Sequence, residues 1–282
     1  MNRRAWMIVA AVLIVVVGLV VRNQIKVYSN RASRAAEQRA RETKGVSVAQ
    51  SLFEALQPVA LANCELVRFG EAHDGGYLMC ANLLADVQSG YSYGIAGYDK
   101  WGCDMSTTLQ VRVHQYDCFD TTQPACPGGD TVFHAECIAD RTKVENGREF
   151  DTFLNQFARN GDAGKRLVMK IDVEGAEWDA FLHAPEEVLD QLEQIAVEFH
   201  WAHDEKYLQV VERLKKHFHV AHLHVNNFSC IDHLAPFTGW AYEVLFVHKR
   251  VGVQDPSGAA GGIHPLDAPN NPDAPDCQMA PL

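Results

Sequence analysis

Between Val46 and Arg250 the chain alternates β-type runs with helical patterns, and this alternation constrains its fold more than any other feature. Tyr91–Ala96, Val111–Tyr116, Val132–Ala139, Leu167–Val173, Gln194–Phe199, His217–Val225 and Tyr242–His248 read as strands. Glu149–Asn160, Ala176–Gln191 and Asp204–His217 read as helices. Strands separated by helices lie mostly parallel in one sheet, with helices covering both faces. Strands buried on both faces should be continuous apolar runs, and Leu167-Val168-Met169 and Val244-Leu245-Phe246-Val247 have that form. The expectation is an α/β domain over residues 51–250.

The two ends differ from this body. Ala5–Val21 is an unbroken apolar run between Arg3-Arg4 and Arg22. At about 1.5 Å per residue it spans roughly 25 Å, the short end of what crosses a bilayer. Arg22-Asn23-Gln24 makes a poor cleavage site, so residues 1–22 read as an uncleaved signal anchor, of which a cleaved signal peptide is the rival. Residues 23–50 are polar and basic, a stem that can sit on anionic head groups. Residues 251–282, rich in Pro, Gly, Ala and Asp, are expected to be disordered. Residues 1–44 hold nine Lys or Arg against two acids, which leaves the remainder at −18 of the chain's −11. A body so acidic repels phosphate backbones and disfavours nucleic acid as a partner.

The chemistry should gather at the carboxyl ends of the strands, where ligands bind in such sheets. The first ends in Tyr93-Gly94-Ile95-Ala96-Gly97, whose glycines let backbone approach a ligand. The second ends in Tyr116-Asp117, an acid placed for a ribose hydroxyl pair or for a turn. The third ends in Ala139-Asp140, facing an adenine amino group or serving as the N-cap of the next element. The fourth runs Lys170-Ile171-Asp172-Val173-Glu174-Gly175-Ala176-Glu177. Acids at a helix start can simply complement its dipole, which covers Glu177. Lys170 and Asp172 lie inside a buried strand, where a charge persists only if paired or used. Glu198 and His200 end the fifth strand and His224 lies near the end of the sixth, so Asp172, Glu198, His200 and His224 should share one rim. Such a group suits acid–base work or a metal.

None of the eight cysteines forms a CxxC pair, which argues against a zinc ribbon or a thioredoxin motif. Their number points to disulfides in an oxidising compartment, while buried free thiols remain the alternative.

The strings Arg68-Phe69-Gly70, Asp74-Gly75-Gly76-Tyr77, Tyr91-Ser92-Tyr93-Gly94-Ile95, Tyr116-Asp117, Lys170 to Glu177, Glu198-Phe199-His200 and His224-Val225-Asn226-Asn227 occur in this order over residues 60–249. In them the chain resembles the FkbM-like and methyltransferase-like families of S-adenosylmethionine enzymes. The resemblance implies a Rossmann-like class I methyltransferase fold, with seven strands of which the last is antiparallel. It implies cofactor contacts at Gly94, Ile95 and Gly97, ribose binding at Asp117, and Asp172 beside the cofactor. Asp140 completes the cofactor set. Many methyltransferases carry a fuller GxGxG loop where this chain has Gly94-Ile95-Ala96-Gly97. The implied reaction is O-methylation of a small-molecule or glycan hydroxyl. His200 is the candidate base, since its usual pKa of about 6.5 is near working pH, with Glu198 and Glu174 as its catalytic partners and no metal assigned. Two rivals are a metal-dependent hydrolase or transferase built on the same rim, and a tethered binding domain without catalysis. An uncleaved N-terminal anchor implies a single-pass type II protein, its body leaning to the lumenal side.

Overall fold

Each of the seven expected runs contributes a strand to one sheet. A computed structural model describes residues 44–231, 237–258 and 264–277. Two units are distinguished, Met1–Ser47 and Val48–Leu282. The expected anchor and most of the stem fall outside the described residues. No helix among those described is long and apolar enough to cross a membrane. The expected domain start at residue 51 is corrected: helix α1 occupies residues 44–55, the compact unit begins at Val48, and Leu52, Phe53 and Leu56 enter its core.

After α1 come hairpin β1 (Leu66–Gly70) and β2 (Gly76–Cys80), β3 (Ser89–Tyr93), α2 (Lys100–Leu109), β4 (Arg112–Tyr116), β5 (Asp130–His134), β6 (Glu136–Ile138), β7 (Lys143–Glu145) and β8 (Arg148–Asp151). Then come α3 (Phe153–Arg159), β9 (Leu167–Ile171), α4 (Glu177–His183), α5 (Glu186–Gln191), β10 (Leu192–His200), α6 (Glu205–His217), β11 (Phe218–Val225) and β12 (Ala241–His248). The main sheet has the order β11-β12-β10-β9-β3-β4-β5. It is mixed and broadly Rossmann-like: β12 runs antiparallel to both neighbours and the other pairings are parallel.

Successive side chains of a strand face opposite sides, and here they feed two cores. Met169, Ile171, Ile195, Val197 and Phe199 pack in one, with Trp178 of α4 and Val210 and Leu214 of α6. Val168, Ala196 and Leu245 pack in the other, with Tyr77 and Met79 of the hairpin and Trp101 and Met105 of α2. By the same alternation Lys170, Glu198 and His200 point to the hairpin side.

Several boundaries differ from expectation for local reasons. The third run divides: β5 ends at His134, and β6 joins a separate sheet of order β6-β8-β7. Glu149–Asp151 is therefore strand rather than helix, and α3 starts after Thr152, whose hydroxyl accepts from the Asn155 N–H. The helix expected over 176–191 breaks at Ala184-Pro185, because proline has no N–H to continue it. Helix α2 was not expected; Asp99 caps it by accepting from the Gly102 N–H.

All eight cysteines are paired, as Cys64–Cys80, Cys103–Cys126, Cys118–Cys137 and Cys230–Cys277. The disordered tail expected over 251–282 is corrected where it is described. Residues 264–277 cross the hairpin and β11–β12 under polar anchors: Asp267 on His222 (2.8 Å), Asp276 on His224 (2.9 Å), and Cys277 on Cys230. Burial alone would lower the pKa of His224, but the Glu243 and Asp276 carboxylates outweigh it and raise it to about 9. The bound proton contributes stability that is full below about pH 6.5 and is lost as pH rises through about 9. Urea unfolding at pH 6 and pH 9.5 is expected to differ by up to about 3 kcal/mol, with the Asp276→Asn variant flattening the difference.

Candidate functional site

The carboxyl ends of β3, β4, β9 and β10 meet on one rim, and the strand order reverses between β3 and β9. Connections leaving that point in opposite directions open a crevice. Gly94 lies at its base with φ +72°, and a β-carbon there would stand 1.6 Å from the Asp172 carbonyl oxygen. Only glycine lets the turn after β3 pass so close to the end of β9. Lys170, which is buried, donates from Nζ to the carbonyls of Gly94 (2.7 Å) and Tyr93 (3.2 Å). That accounts for a cation inside an apolar strand: it fastens the glycine turn from below.

Asp117 fastens the turn from the side. Its Oδ2 accepts from the N–H groups of Ile95 (3.1 Å) and Ala96 (2.8 Å), and its Oδ1 from those of Phe119 (2.8 Å) and Asp120 (3.1 Å). With four amides on one carboxylate, its turn-forming role is realised, and it also walls a cavity. Asp140 stands apart. It follows β6, carries Arg141 at 3.4 Å, and is not on the wall of any of the hollows around the glycine turn.

Three hollows adjoin Asp172 among the described residues. One of about 300 Å³ is bounded by Gly94, Ala96, Asp117 and Asp172, with apolar walls from Phe119, Ile138 and Phe150. A second, about 230 Å³, lies between Glu71, Asp74, Gly94, Lys100, Lys170 and Asp172. A third, about 180 Å³, is lined by Asp74, Asp172, Glu174, Glu198, His200 and Trp240. Asp172 borders all three. Ile95 lines the second, whereas Gly97, with φ +75°, lies beside Asp120 and Thr122. Ala96 (φ 46°), Glu174 (φ 56°) and Trp201 (φ 68°) have left-handed backbone within three residues of the ends of β3, β9 and β10. Such strain is costly away from glycine and concentrates at working sites.

His200 is the centre of the third hollow. Its Nδ1 lies 3.3 Å from Oε1 of Glu177, which is fully buried and also accepts the His200 backbone N–H at 3.0 Å. The other Glu177 oxygen accepts from Gly175 N–H at 2.8 Å. A neutral imidazole held this way carries its proton on Nδ1 and presents the Nε2 lone pair. That lone pair faces Glu174 (3.4 Å), Glu198 (3.6 Å) and Asp172 (3.9 Å). Burial alone would lower the His200 pKa, but the Glu177 hydrogen bond and the surrounding carboxylates raise it. Burial, reinforced by the charges of Asp172, Glu243 and Asp74, pushes Glu198 well above the usual carboxylate range. Burial also raises Asp172, against the pull of Lys170 and His200. Donor atoms of Asp172, Glu174 and His200 lie within 4.8 Å of one another, close enough to share a divalent ion.

Four of the residues expected on this rim thus separate into two groups. Asp172, Glu198 and His200 converge, together with Glu174. His224 instead turns to Glu243 (3.6 Å) and Asp276 (2.9 Å) and is not on the wall of the hollow. The residue orienting His200 is Glu177 rather than Glu198, whose Oε1 accepts from Asn226 at 3.0 Å. Asp74, named only within a string of the resemblance, and Trp240 were given no site role in the sequence. Trp240 stacks on the half-exposed Trp201 with ring centroids 5.1 Å apart. The chain matches no family model and no curated protein.

Proposed function

We propose that this chain is an S-adenosylmethionine-dependent methyltransferase of the class I fold, acting on a hydroxyl of a small molecule or glycan. The observation that carries the reading is the Glu177–His200 pair, which aims Nε2 into a hollow sharing Asp172 with the cavity beside Gly94. When bound, the cofactor supplies a methyl group on a sulfonium centre. The chain's residues suit it. The adjoining hollows of about 300 and 230 Å³ fall in the range of small-molecule sites. Phe119, Ile138 and Phe150 offer an apolar slot for a purine, Asp117 borders it, and Asp172 offers negative charge to a sulfonium. Asp140 has no part in this reading.

His200 then takes the acceptor's hydroxyl proton on Nε2, and Glu177 stabilises the imidazolium that results. Asp172 and Glu174 border both sides of the junction and orient the acceptor. The acidic body and this acidic hollow disfavour phosphate-bearing acceptors. Four disulfides support a body in an oxidising compartment, and with the apolar segment of residues 1–22 they support a type II anchored protein facing the lumen.

Calorimetric titration with S-adenosylhomocysteine tests the reading. Micromolar binding is expected. Absence of binding would defeat it and leave a tethered module without catalysis. The close set of Asp172, Glu174 and His200 favours a second reading, a metal-dependent hydrolase or transferase. Chelator-sensitive turnover that consumes no methyl donor would select it.

A further inference from the structure

The strap of residues 264–277 does more than cover the sheet. Arg68 of β1 donates to the Leu266 carbonyl (2.8 Å), and His73, in the turn after β1, meets the Pro269 carbonyl (2.9 Å). Beyond these, the strap reaches two walls of the third hollow. Asn270, which is 2% exposed, donates from Nδ2 to Oδ1 of Asp74 (3.0 Å) and to Oε1 of the buried Glu243 (2.7 Å). Asp74 sits in the β1–β2 turn and borders both the second and the third hollow. Asn227 donates to the carbonyls of Asn271 (3.0 Å), Ala274 (3.1 Å) and Pro275 (3.3 Å) and accepts from the Asn271 N–H (2.6 Å). Its neighbours Phe228 and Ser229 line the third hollow, and Asn226 carries Glu198. Cys230–Cys277 closes the far end.

We infer that this strap is a positioning element of the site: Asn270 holds Asp74 in the wall of the hollow, Asn227 holds the opposite turn, and the Cys230–Cys277 disulfide keeps both in place. Two carboxylates facing one amide repel each other once its N–H groups are gone. Glu243 is fixed inside the sheet, so Asp74, on a short turn, is the one that moves. Asn270 touches no reacting group and acts through Asp74. The inference rests on the proposed function in taking the third hollow as the acceptor side and the second as part of the donor side.

Hydrogen exchange on the full chain, compared with Asn270→Ala and with the double variant Cys230→Ser/Cys277→Ser, tests it. Exchange is expected to quicken roughly tenfold at residues 70–76 in Asn270→Ala, and also at residues 226–229 in the double variant, with β3, β4 and β9 unchanged. Affinity for S-adenosylhomocysteine should weaken by about tenfold in both, since Asp74 also borders the second hollow. Unaltered exchange at residues 70–76 in Asn270→Ala overturns the inference. So does quickening spread evenly over β3, β4 and β9, which would make the strap a general support. Should the double variant fail to fold, the Asn270→Ala result decides. Should the unaltered chain bind no S-adenosylhomocysteine, the methyltransferase reading falls, and the exchange comparison still judges the strap.

Discussion

Replacing His200 by alanine is expected to lower turnover by about 10²–10⁴-fold while leaving the affinity for S-adenosylhomocysteine unchanged. His200 lines the third hollow and neither of the two beside Gly94, so donor binding does not need it. Glu177 is the hydrogen-bond partner of His200 Nδ1, so Glu177→Gln should cause most of the same loss of turnover without removing the imidazole. The pH dependence follows from the direction of the shift. Burial lowers the His200 pKa, the Glu177 hydrogen bond and nearby carboxylates outweigh it, and the net value is raised. A base works only when neutral, so turnover should climb with pH, with a midpoint above about 6.5. Glu177→Gln removes the principal raising partner and should move that midpoint down. Steady-state rates from pH 5 to 9 check both statements. Full turnover in the alanine variant would remove His200 from the chemistry.

Among the described glycines, Gly94→Ala should be the most damaging change to alanine. The added carbon would stand 1.6 Å from a backbone oxygen, that of Asp172, which no rotamer change can move. Relief requires the turn and the end of β9 to part by more than about 1 Å, given ordinary carbon–oxygen contacts of roughly 3.3 Å or more. That separation breaks the Lys170 bond to the Gly94 carbonyl and strains the Asp117 bonds to Ile95 and Ala96. A loss of more than about 3 kcal/mol in urea unfolding is expected, with binding of S-adenosylhomocysteine weakened at least roughly a hundredfold. Gly97→Ala is the matched control. It has a similar φ of +75°, but its nearest neighbours are the Asp120 carboxylate (2.9 Å), which can swing aside, and Thr122 Cβ (3.1 Å), which need give only a few tenths of an ångström. Equal losses in the two variants would mean that backbone angle, not contact with Asp172, makes Gly94 necessary.

The main sheet was legible because parallel strands buried on both faces leave long apolar runs in the sequence. Short strands that pair locally leave no such trace, which hides the β1–β2 hairpin and the β6-β8-β7 sheet and gives Glu149–Asp151 a helical look. Helix α2 escaped because Gly102, Ser106 and Thr107 are weak helix formers, and tertiary burial of Trp101 and Met105 overrides them. In the site, charge in an unexpected place was the useful signal: Lys170 stands inside the apolar strand β9 and Asp172 one residue past its end, and both touch the crevice. Glu177 gave no such signal, because an acid in the first turn of a helix is ordinary. Only its complete burial beneath His200 distinguishes it. The tail misled for a related reason. Composition measures how much apolar surface a segment can bury, whereas residues 264–277 are held by carboxylates, amides and one covalent bond.

Four cross-links also bear on how the protein must be made. Eight half-cystines can join in roughly a hundred ways, and exchange among them takes seconds to hours, against microseconds for hairpins and helices. Biogenesis is therefore limited by sulfur chemistry rather than by sheet assembly. A host cytoplasm rich in glutathione would deliver a polypeptide with none of these bonds, its Cys137, on the wall of the hollow beside Asp117, unjoined to Cys118. Activity assays thus depend on an expression host that supplies an oxidant and an isomerase.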